Sequence, residues 1–281
     1  MTLTYASLAS GIGGLDLAVE AVLDAELIWH AEFAKRPAII HERYWPNINN
    51  LHDITTINWS TLERPDILCG GYPCQPFSSA GERKGFNDPR NLWPYFQNAI
   101  RILRPQLVIL ENVAAHLSLG FGRVLGDLAD LWYDAEWGVF RASEVGAPHP
   151  RARVFIVAYT PGTRCEGRLQ RAETPRRNIA PNGDSFPWRK FEPAIRRWES
   201  IRGEHAPTPL DSRGLDPTFV EWLMGFPIGW TEGIARTARL KGLGNAVLPP
   251  QGESAIRVLL DRITRHSSVE LVELRKELRG S

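Results

Sequence analysis

Two prolines bracket one cysteine in the segment DILCGGYPCQPFSSAGERKGFNDPRNLW. An apolar strand ends in Gly70-Gly71, and Pro73 and Pro76 stiffen the chain around Cys74. A thiol at the carboxyl end of a strand, near a helix N-terminus and arginines, has a lowered pKa and becomes a candidate nucleophile. Cys69, inside the apolar run, reads as core filling. The polar loop after Cys74 carries Arg83, Lys84 and Arg90 with Gly81 and Gly85, a basic segment suited to closing over an anionic substrate.

Two further segments carry acid and base groups. QLVILENVAAH ends a buried strand in Glu111-Asn112. A partly desolvated carboxyl there has a raised pKa and can donate a proton; a helix N-cap pair is the alternative. In GAPHPRARVFIVAY, Arg151 and Arg153 fall on alternate positions entering a strand, which points both to one face. Two arginines facing a crevice bind an anion or a polarised carbonyl, and a solvated edge is the alternative.

A glycine-rich turn, SLASGIGGLDLAVE, follows the first strand and lets a ligand approach backbone at a helix N-terminus. The last position of a dinucleotide fingerprint is occupied by Asp16, which would repel a pyrophosphate, so a ligand without phosphates suits the loop better. A plain strand-to-helix turn is the alternative. Glu32 closes the second strand where an acidic side chain accepts from ribose hydroxyls, or is simply a solvated strand end. Asp53 accepts from an adenine amino group, or caps a turn.

The elements that must position these residues alternate. Strands are expected at Leu3 to Leu8, Leu27 to Ala31, Asp66 to Cys69, Leu107 to Leu110 and Arg153 to Tyr159. Helices are expected at Leu15 to Leu23, Lys35 to Tyr44, Leu92 to Leu103 and Gln251 to Thr264, the last after a Gly-Asn turn in KGLGNAVLPP. This alternation predicts an α/β layer fold with a mainly parallel sheet, whose ligands bind at the carboxyl ends of the strands. Between Gly162 and Arg213 the chain is rich in Arg, Pro and Gly and poor in periodic apolar residues. We expect a large domain over residues 1–160 and 235–281, interrupted by a small basic domain over 161–234.

Composition excludes several classes. The 281 residues, 43% hydrophobic and 23% charged, suffice for a buried core. A net charge of +1 names no partner, so nucleic-acid binding must come from a local basic patch. Three cysteines, at 69, 74 and 165, are too few for a disulfide framework or a tetrahedral metal site. No transmembrane run and no basic n-region are found, so a cytoplasmic location and no membrane partner are expected.

Taken in order, S-G-I-G-G-L-D-L, P-C-Q-P-F-S, E-N-V, P-R-A-R-V-F and G-L-G-N-A-V resemble the motifs of the cytosine-5 DNA methyltransferases. The resemblance runs from Leu3 to about Leu260, with a gap over Thr160 to Arg213. It implies a Rossmann-like S-adenosylmethionine-dependent fold with a small target-recognition domain, S-adenosyl-L-methionine as cofactor and double-stranded DNA as partner. It also implies Cys74 as nucleophile on C6 of a flipped cytosine, Glu111 at N3, and Arg151 and Arg153 at the base carbonyl. Ser10, Gly11, Gly13, Gly14, Leu15, Glu32, Asp53, Ile54, Asn245 and Ala246 fall on its cofactor positions. No metal is implied, and a monomer is expected. Three departures stand out. Ala9 replaces the usual Phe that packs on the cofactor, so affinity is lower or another side chain substitutes. His149 replaces the Gln of Q-x-R-x-R. LDPTFVEWLMGFPIGW stands where R-x-L-T-x-R-E is usual, and is read as a buttress of the small domain. An RNA or modified-cytosine acceptor and a silent DNA-binding protein remain as alternatives. A thiol hydrolase would need His149 or His116 beside Cys74.

Overall fold

The computed structural model describes residues 2–72, 91–161 and 186–277, with side chains as far as Arg265. Cys74, the basic loop to Arg90, and the arginines from Arg164 to Arg177 lie outside the described residues.

In chain order the elements begin with β1 (Leu3–Leu8), α1 (Gly14–Val22), β2 (Ala25–Ala31), α2 (Lys35–Tyr44), β3 (Asn49–Asn50) and β4 (Ile67–Gly70). They continue with α3 (Trp93–Leu103), β5 (Leu107–Val113), α4 (Phe121–Asp130), β6 (Asp134–Arg141) and β7 (Ala152–Tyr159). Then follow α5 (Glu192–Arg202), the short hairpin β8 (Leu210–Asp211) and β9 (Gly214–Leu215), α6 (Pro217–Leu223), α7 (Arg236–Asn245) and α8 (Pro249–Glu277). The seven-stranded sheet has the order β3-β2-β1-β4-β5-β7-β6. It is parallel from β3 to β5, and β7 runs antiparallel to both β5 and β6.

Alternation along the central strands explains the layers, since both faces of a parallel sheet are covered. Ala6, Leu8, Leu68, Val108, Leu110, Val154 and Ile156 point to one face, where they pack with Trp93, Phe96 and Ile100 of α3 and Val124 and Leu128 of α4. Tyr5, Ile67, Cys69, Ile109, Phe155 and Val157 point to the other, against α1 and α8. Cys69 is fully buried there as a free thiol.

A third core gathers Trp188, Ile195, Trp198, Phe219, Trp222, Phe226 and Trp230 around Ile12 and Ile40. Its polar centre is Glu221, fully buried. Oε1 accepts from Thr231 N and Oγ1 and from Arg239 Nη2, and Oε2 accepts from Gly229 N. This carboxylate staples α6, the following loop and α7 together. The LDPTFVEWLMGFPIGW segment therefore packs against the glycine loop as well: the Trp230 indole donates to Ile12 O at 2.8 Å.

Four expectations need correction. The KGLGNAV segment is not a Gly-Asn turn; it is the end of α7, and the chain becomes extended only at Ala246. Within the Arg-rich stretch, α5 forms because Ile195 and Trp198 share one buried face and Pro193 sits in the first turn, where proline is tolerated. Strand alternation does not relate Arg151 to Arg153, since Arg151 precedes β7 with φ +31°, although both lie near enough to Glu111 to lower its pKa. Finally, the expected elements are joined by α4 and β6, which no apolar run in the sequence announces.

Candidate active site

Parallel register brings the chemistry to one edge. Leu8 pairs with Ala31 and with Gly70, and Gly70 pairs with Leu110. The residues that follow these ends are therefore neighbours: the Ala9–Gly14 loop, Glu32, Gly71-Tyr72 and Glu111. Because β7 is antiparallel, its first turn returns to the same edge, with Arg153 opposite Val113.

Arg153 Nε lies 2.9 Å from Glu111 Oε1, and the two side chains are only 18% and 12% exposed. Burial pushes the Glu111 pKa above the usual carboxylate range, while Arg153 and then Arg151 pull it down. The second oxygen, Oε2, lies against Gly71: a Cβ built there would be 3.1 Å from it. Arg151 Nη2 donates to Gly244 O at 3.1 Å and Ala246 O at 2.5 Å, cations at a helix C-terminus being favoured by its dipole. The arginine that flanks Glu111 thus also holds the end of α7, where Asn245 is exposed and Ala246 buried. Asn112 Nδ2 donates to Tyr72 O at 3.0 Å, which joins β5 to the exit of β4. Tyr72 precedes Cys74 by two residues.

The glycine loop sits at the other half of the edge. Gly11 and Gly13 have φ of +59° and +82°. Among the described residues nothing lies within 4 Å of a Cβ built at Gly11, so they leave the loop open there. Gly14 instead abuts Val247 O, 2.2 Å from where a Cβ would stand, which presses the start of α1 onto the Ala246-Val247 segment. Glu32 is 8% exposed. Its Oε2 accepts from Gly11 N at 2.8 Å and Oε1 from Ala34 N at 2.7 Å. It braces the loop, and each oxygen retains a lone pair for a ligand hydroxyl. Ser10 Oγ is 3.1 Å from His30 Nδ1. Asp53 Oδ1 accepts from Thr55 N and Oγ1, and these bonds hold its pKa below the ordinary value. Leu15 and Ile54 are buried in the cores flanking the sheet.

Phe33, 75% exposed beside Glu32, was missed in the sequence. An aromatic directly after a strand-end acid was the available signal. The two histidines offered as thiol activators are engaged elsewhere. His149 Nε2 faces Leu223 O at 3.3 Å, and His116 lies between Tyr72 Oη and Leu119 O. No group of potential metal ligands is found among the described residues, and no described helix is long and apolar enough to cross a membrane.

Under the glycine loop lies a buried titratable cluster. Asp16 Oδ2 is 3.9 Å from His41 Nε2, both side chains fully buried, and His41 stacks on His30 and Trp45. Burial pushes Asp16 up to about 7, and lowers His30 to about 3 and both His41 and His116 to about 4. The unfolded chain protonates these histidines near pH 6.5, whereas the folded one resists until far lower, so stability is lost on acidification. Asp16 acts oppositely, since the folded chain keeps its proton up to about pH 7. Among these four groups the histidines outnumber the carboxyl, so acidification from pH 6.5 towards 5 is expected to destabilise the fold. Thermal melts across that range should show a falling Tm; a flat or rising one contradicts this balance.

Comparison with known proteins places the chain in a family. The family model described as C-5 cytosine-specific DNA methylase matches residues 3–185. The type II methyltransferase M.Bsp6I of Bacillus sp. (strain RFL6) is 33% identical over 164 residues, 56% of this chain and 52% of that protein. The type II methyltransferase M.HhaI of Haemophilus parahaemolyticus is 32% identical over 162 residues, 56% of this chain and 49% of that protein. The chain spans about half the length of these curated relatives. Among solved structures, the Entamoeba histolytica methyltransferase EhMeth superposes with a TM-score of 0.65 at 16% identity, covering 94% of this chain and 99% of that one. The S. pombe Dnmt2 methyltransferase gives 0.64 at 18% identity, with 93% and 99% covered. These structural likenesses concern the fold. Since the matched family spans well over half of the sequence, the chain belongs to the C-5 cytosine-specific DNA methylases.

Proposed function

We propose that this chain transfers a methyl group from S-adenosyl-L-methionine to C5 of a flipped-out cytosine within a short DNA sequence. The observation that carries this reading is the Glu111–Arg153 pair, largely closed from water, with Glu111 against Gly71, which leads in sequence to Pro73-Cys74-Gln75. A buried carboxyl of raised pKa beside a guanidinium suits the N3 and carbonyl edge of a cytosine.

In this reading the Cys74 thiolate adds to C6 while Glu111 protonates N3, so the π pair of the C5–C6 double bond is released onto C5. Arg153, with Arg151 beside it, orients the base carbonyl. Once C5 carries the methyl group, loss of the C5 proton to a base re-forms the C5–C6 double bond and expels Cys74 as thiolate, while N3 returns its proton to Glu111. A stacked base cannot reach these groups, so the base must be flipped.

The cofactor fits the cradle. The room that the described residues leave over Gly11, lone pairs on Glu32 and the absence of a phosphate-binding pattern suit a nucleoside without phosphates. When bound, S-adenosyl-L-methionine supplies an electrophilic methyl group. Ser10, Gly11, Gly13, Gly14 and Leu15 would form its floor, Glu32 and Asp53 its polar contacts, Ile54 its apolar wall, and Asn245 and Ala246 the far rim. Ala9 offers no ring, and we assign that role to exposed Phe33. Base–aromatic stacking is worth ~1–3 kcal/mol, so Phe33→Ala should weaken cofactor binding by about tenfold. Quenching of tryptophan fluorescence by the cofactor reads this, and an unchanged Kd removes Phe33 from the site.

Residues 161–234 are assigned to target recognition, with their arginines attracting phosphates, and the protein to action as a monomer. Bisulfite sequencing of plasmid DNA from cells expressing the chain tests the reaction. Protected cytosines in one short recurring sequence support it and give the site. Uniform conversion, with soluble protein and Cys74 intact, contradicts a DNA acceptor and directs the same measurement to cellular RNA.

A further inference from the structure

Tyr72 and His116 form a buried polar pair for which the reaction as written has no use. Tyr72 is 3% exposed and His116 is fully buried. The phenol oxygen lies 2.7 Å from His116 Nε2, and His116 Nδ1 lies 2.9 Å from Leu119 O. A carbonyl only accepts, so Nδ1 carries the proton. Nε2 is then the acceptor and the Tyr72 hydroxyl the donor. With the imidazole neutral the bond has a direction, and protonation of His116 would reverse it.

Its location gives it consequence. Tyr72 is the last described residue before the cysteine segment, and it is tied to β5 twice over. Its hydroxyl reaches His116, in the turn after β5, and its carbonyl accepts from Asn112, on β5 itself. Gly71, immediately before it, lies against Glu111 Oε2. Aromatic rings enclose the pair: Trp93 and Phe96 of α3 around Tyr72, and Phe121 of α4 edge-on to His116. A hydrogen bond in such an enclosure is directional and hard to replace by water. Simple core filling would be met by two apolar rings.

We propose, on the reading of the active site just given, that Tyr72 and His116 are positioning residues: their hydrogen bond holds the exit of β4 against the Glu111 carboxyl, so that the cysteine segment leaves the sheet in the register that methyl transfer needs. Among the described groups that face His116 are the Tyr72 hydroxyl of the β4 exit and the Leu119 carbonyl of its own turn. Beyond Tyr72, on β5, stands the Glu111 carboxyl. Protonating His116 turns Nε2 into a donor and leaves the phenol hydrogen without this acceptor. Burial keeps that event down near pH 4, so the pair is intact at neutral pH.

The test compares the full chain with Tyr72→Phe, His116→Phe and His116→Gln. Gln offers an oxygen that accepts from the phenol but does not titrate. Single-turnover methyl transfer to plasmid DNA and the cofactor Kd are measured on each. We expect Tyr72→Phe and His116→Phe to lose at least tenfold in single-turnover rate, with Kd changed less than twofold. His116→Gln should keep at least a third of the rate, and below pH 5 its rate relative to wild type should rise. Unchanged rates in both Phe variants overturn the proposal, as does a His116→Gln rate as low as that of His116→Phe. A rate loss matched by an equal loss of cofactor binding also overturns it, because the effect is then not confined to the β4–β5 side.

Should the wild-type chain methylate no DNA, the function reading fails separately, and amide deuterium exchange decides the positioning role. Exchange at residues 67–72 and 110–113 should quicken in the two Phe variants and not in His116→Gln, with the glycine loop unaffected. Equal exchange in all four proteins overturns the pair.

Discussion

Cys74→Ser is expected to abolish methyl transfer, by at least about 10³-fold, while the protein still folds and still binds S-adenosyl-L-methionine. The size follows from the chemistry. A thiol with a pKa near 8.5 supplies some thiolate at neutral pH, and more where nearby arginines lower that pKa, whereas a serine hydroxyl stays protonated and is the weaker nucleophile. Without addition at C6, the cytosine C5 has no electron density with which to take up a methyl group. Folding should not suffer, because serine is nearly the same size and shape as cysteine; the cysteine buried in the sheet is Cys69. The readouts are incorporation of labelled methyl groups into DNA, and cofactor binding by fluorescence on the same preparation. Residual incorporation above about one part in a hundred would rule out Cys74 as nucleophile. Loss of cofactor binding would mean that the substitution had disturbed the fold instead.

The parts of this fold legible in the sequence are those where a single physical constraint dominates. β1, β2, β4 and β5, which are parallel, and β7, which is antiparallel but lies inside the sheet, are short apolar runs because each is covered on both faces, and each run is bounded by a turn residue or proline. By contrast β6, DAEWGVFR, lies at the edge of the sheet. Its residues are half-exposed, Gly138 interrupts it, and no apolar run marks it. α4 carries Gly122 and Gly126, which weaken any helical reading, yet Val124 and Leu128 bury it on α3 and the sheet. α7 misled in another way: Gly242, Gly244 and Asn245 are turn residues by propensity, and tertiary contacts override that. Gly242 sits against Ile12, and Arg151 ties down the helix end. The site shows the same division. Glu111 and Glu32 could be placed at strand ends from sequence, since strand ends converge in an α/β sheet. Long-range partners could not be read: the Arg153–Glu111 pair, the Arg151–Ala246 bond and the Glu221 staple each depend on register or on residues distant in sequence.

Glu111→Gln is expected to slow single-turnover methylation by about 10²–10⁴-fold, the usual range for removing a general acid, while the cofactor Kd changes less than twofold. Gln keeps the shape and can still donate to or accept from the base edge, but it has no proton to give to N3. The structure sharpens this expectation. The carboxyl is held by Arg153 Nε on one oxygen and lies against Gly71 on the other, so the substitution alters charge without opening a cavity. The cofactor loop is braced by Glu32, on the far side of β1 and β4, which is why binding should be spared. The pH dependence adds a second discriminator. Two opposed limbs are expected in the wild type: the rate rises as the thiol ionises and falls as Glu111 loses its proton. Burial pushes the Glu111 pKa upward, and Arg153 and Arg151 restrain it, so the falling limb lies above the ordinary carboxylate range. In Glu111→Gln the falling limb has no titrating group and should disappear, leaving a rate that only rises with pH. A variant that retains a bell-shaped profile would move the acid to another residue. A variant with near-normal rate would mean that Glu111 serves only as the counter-charge to Arg153.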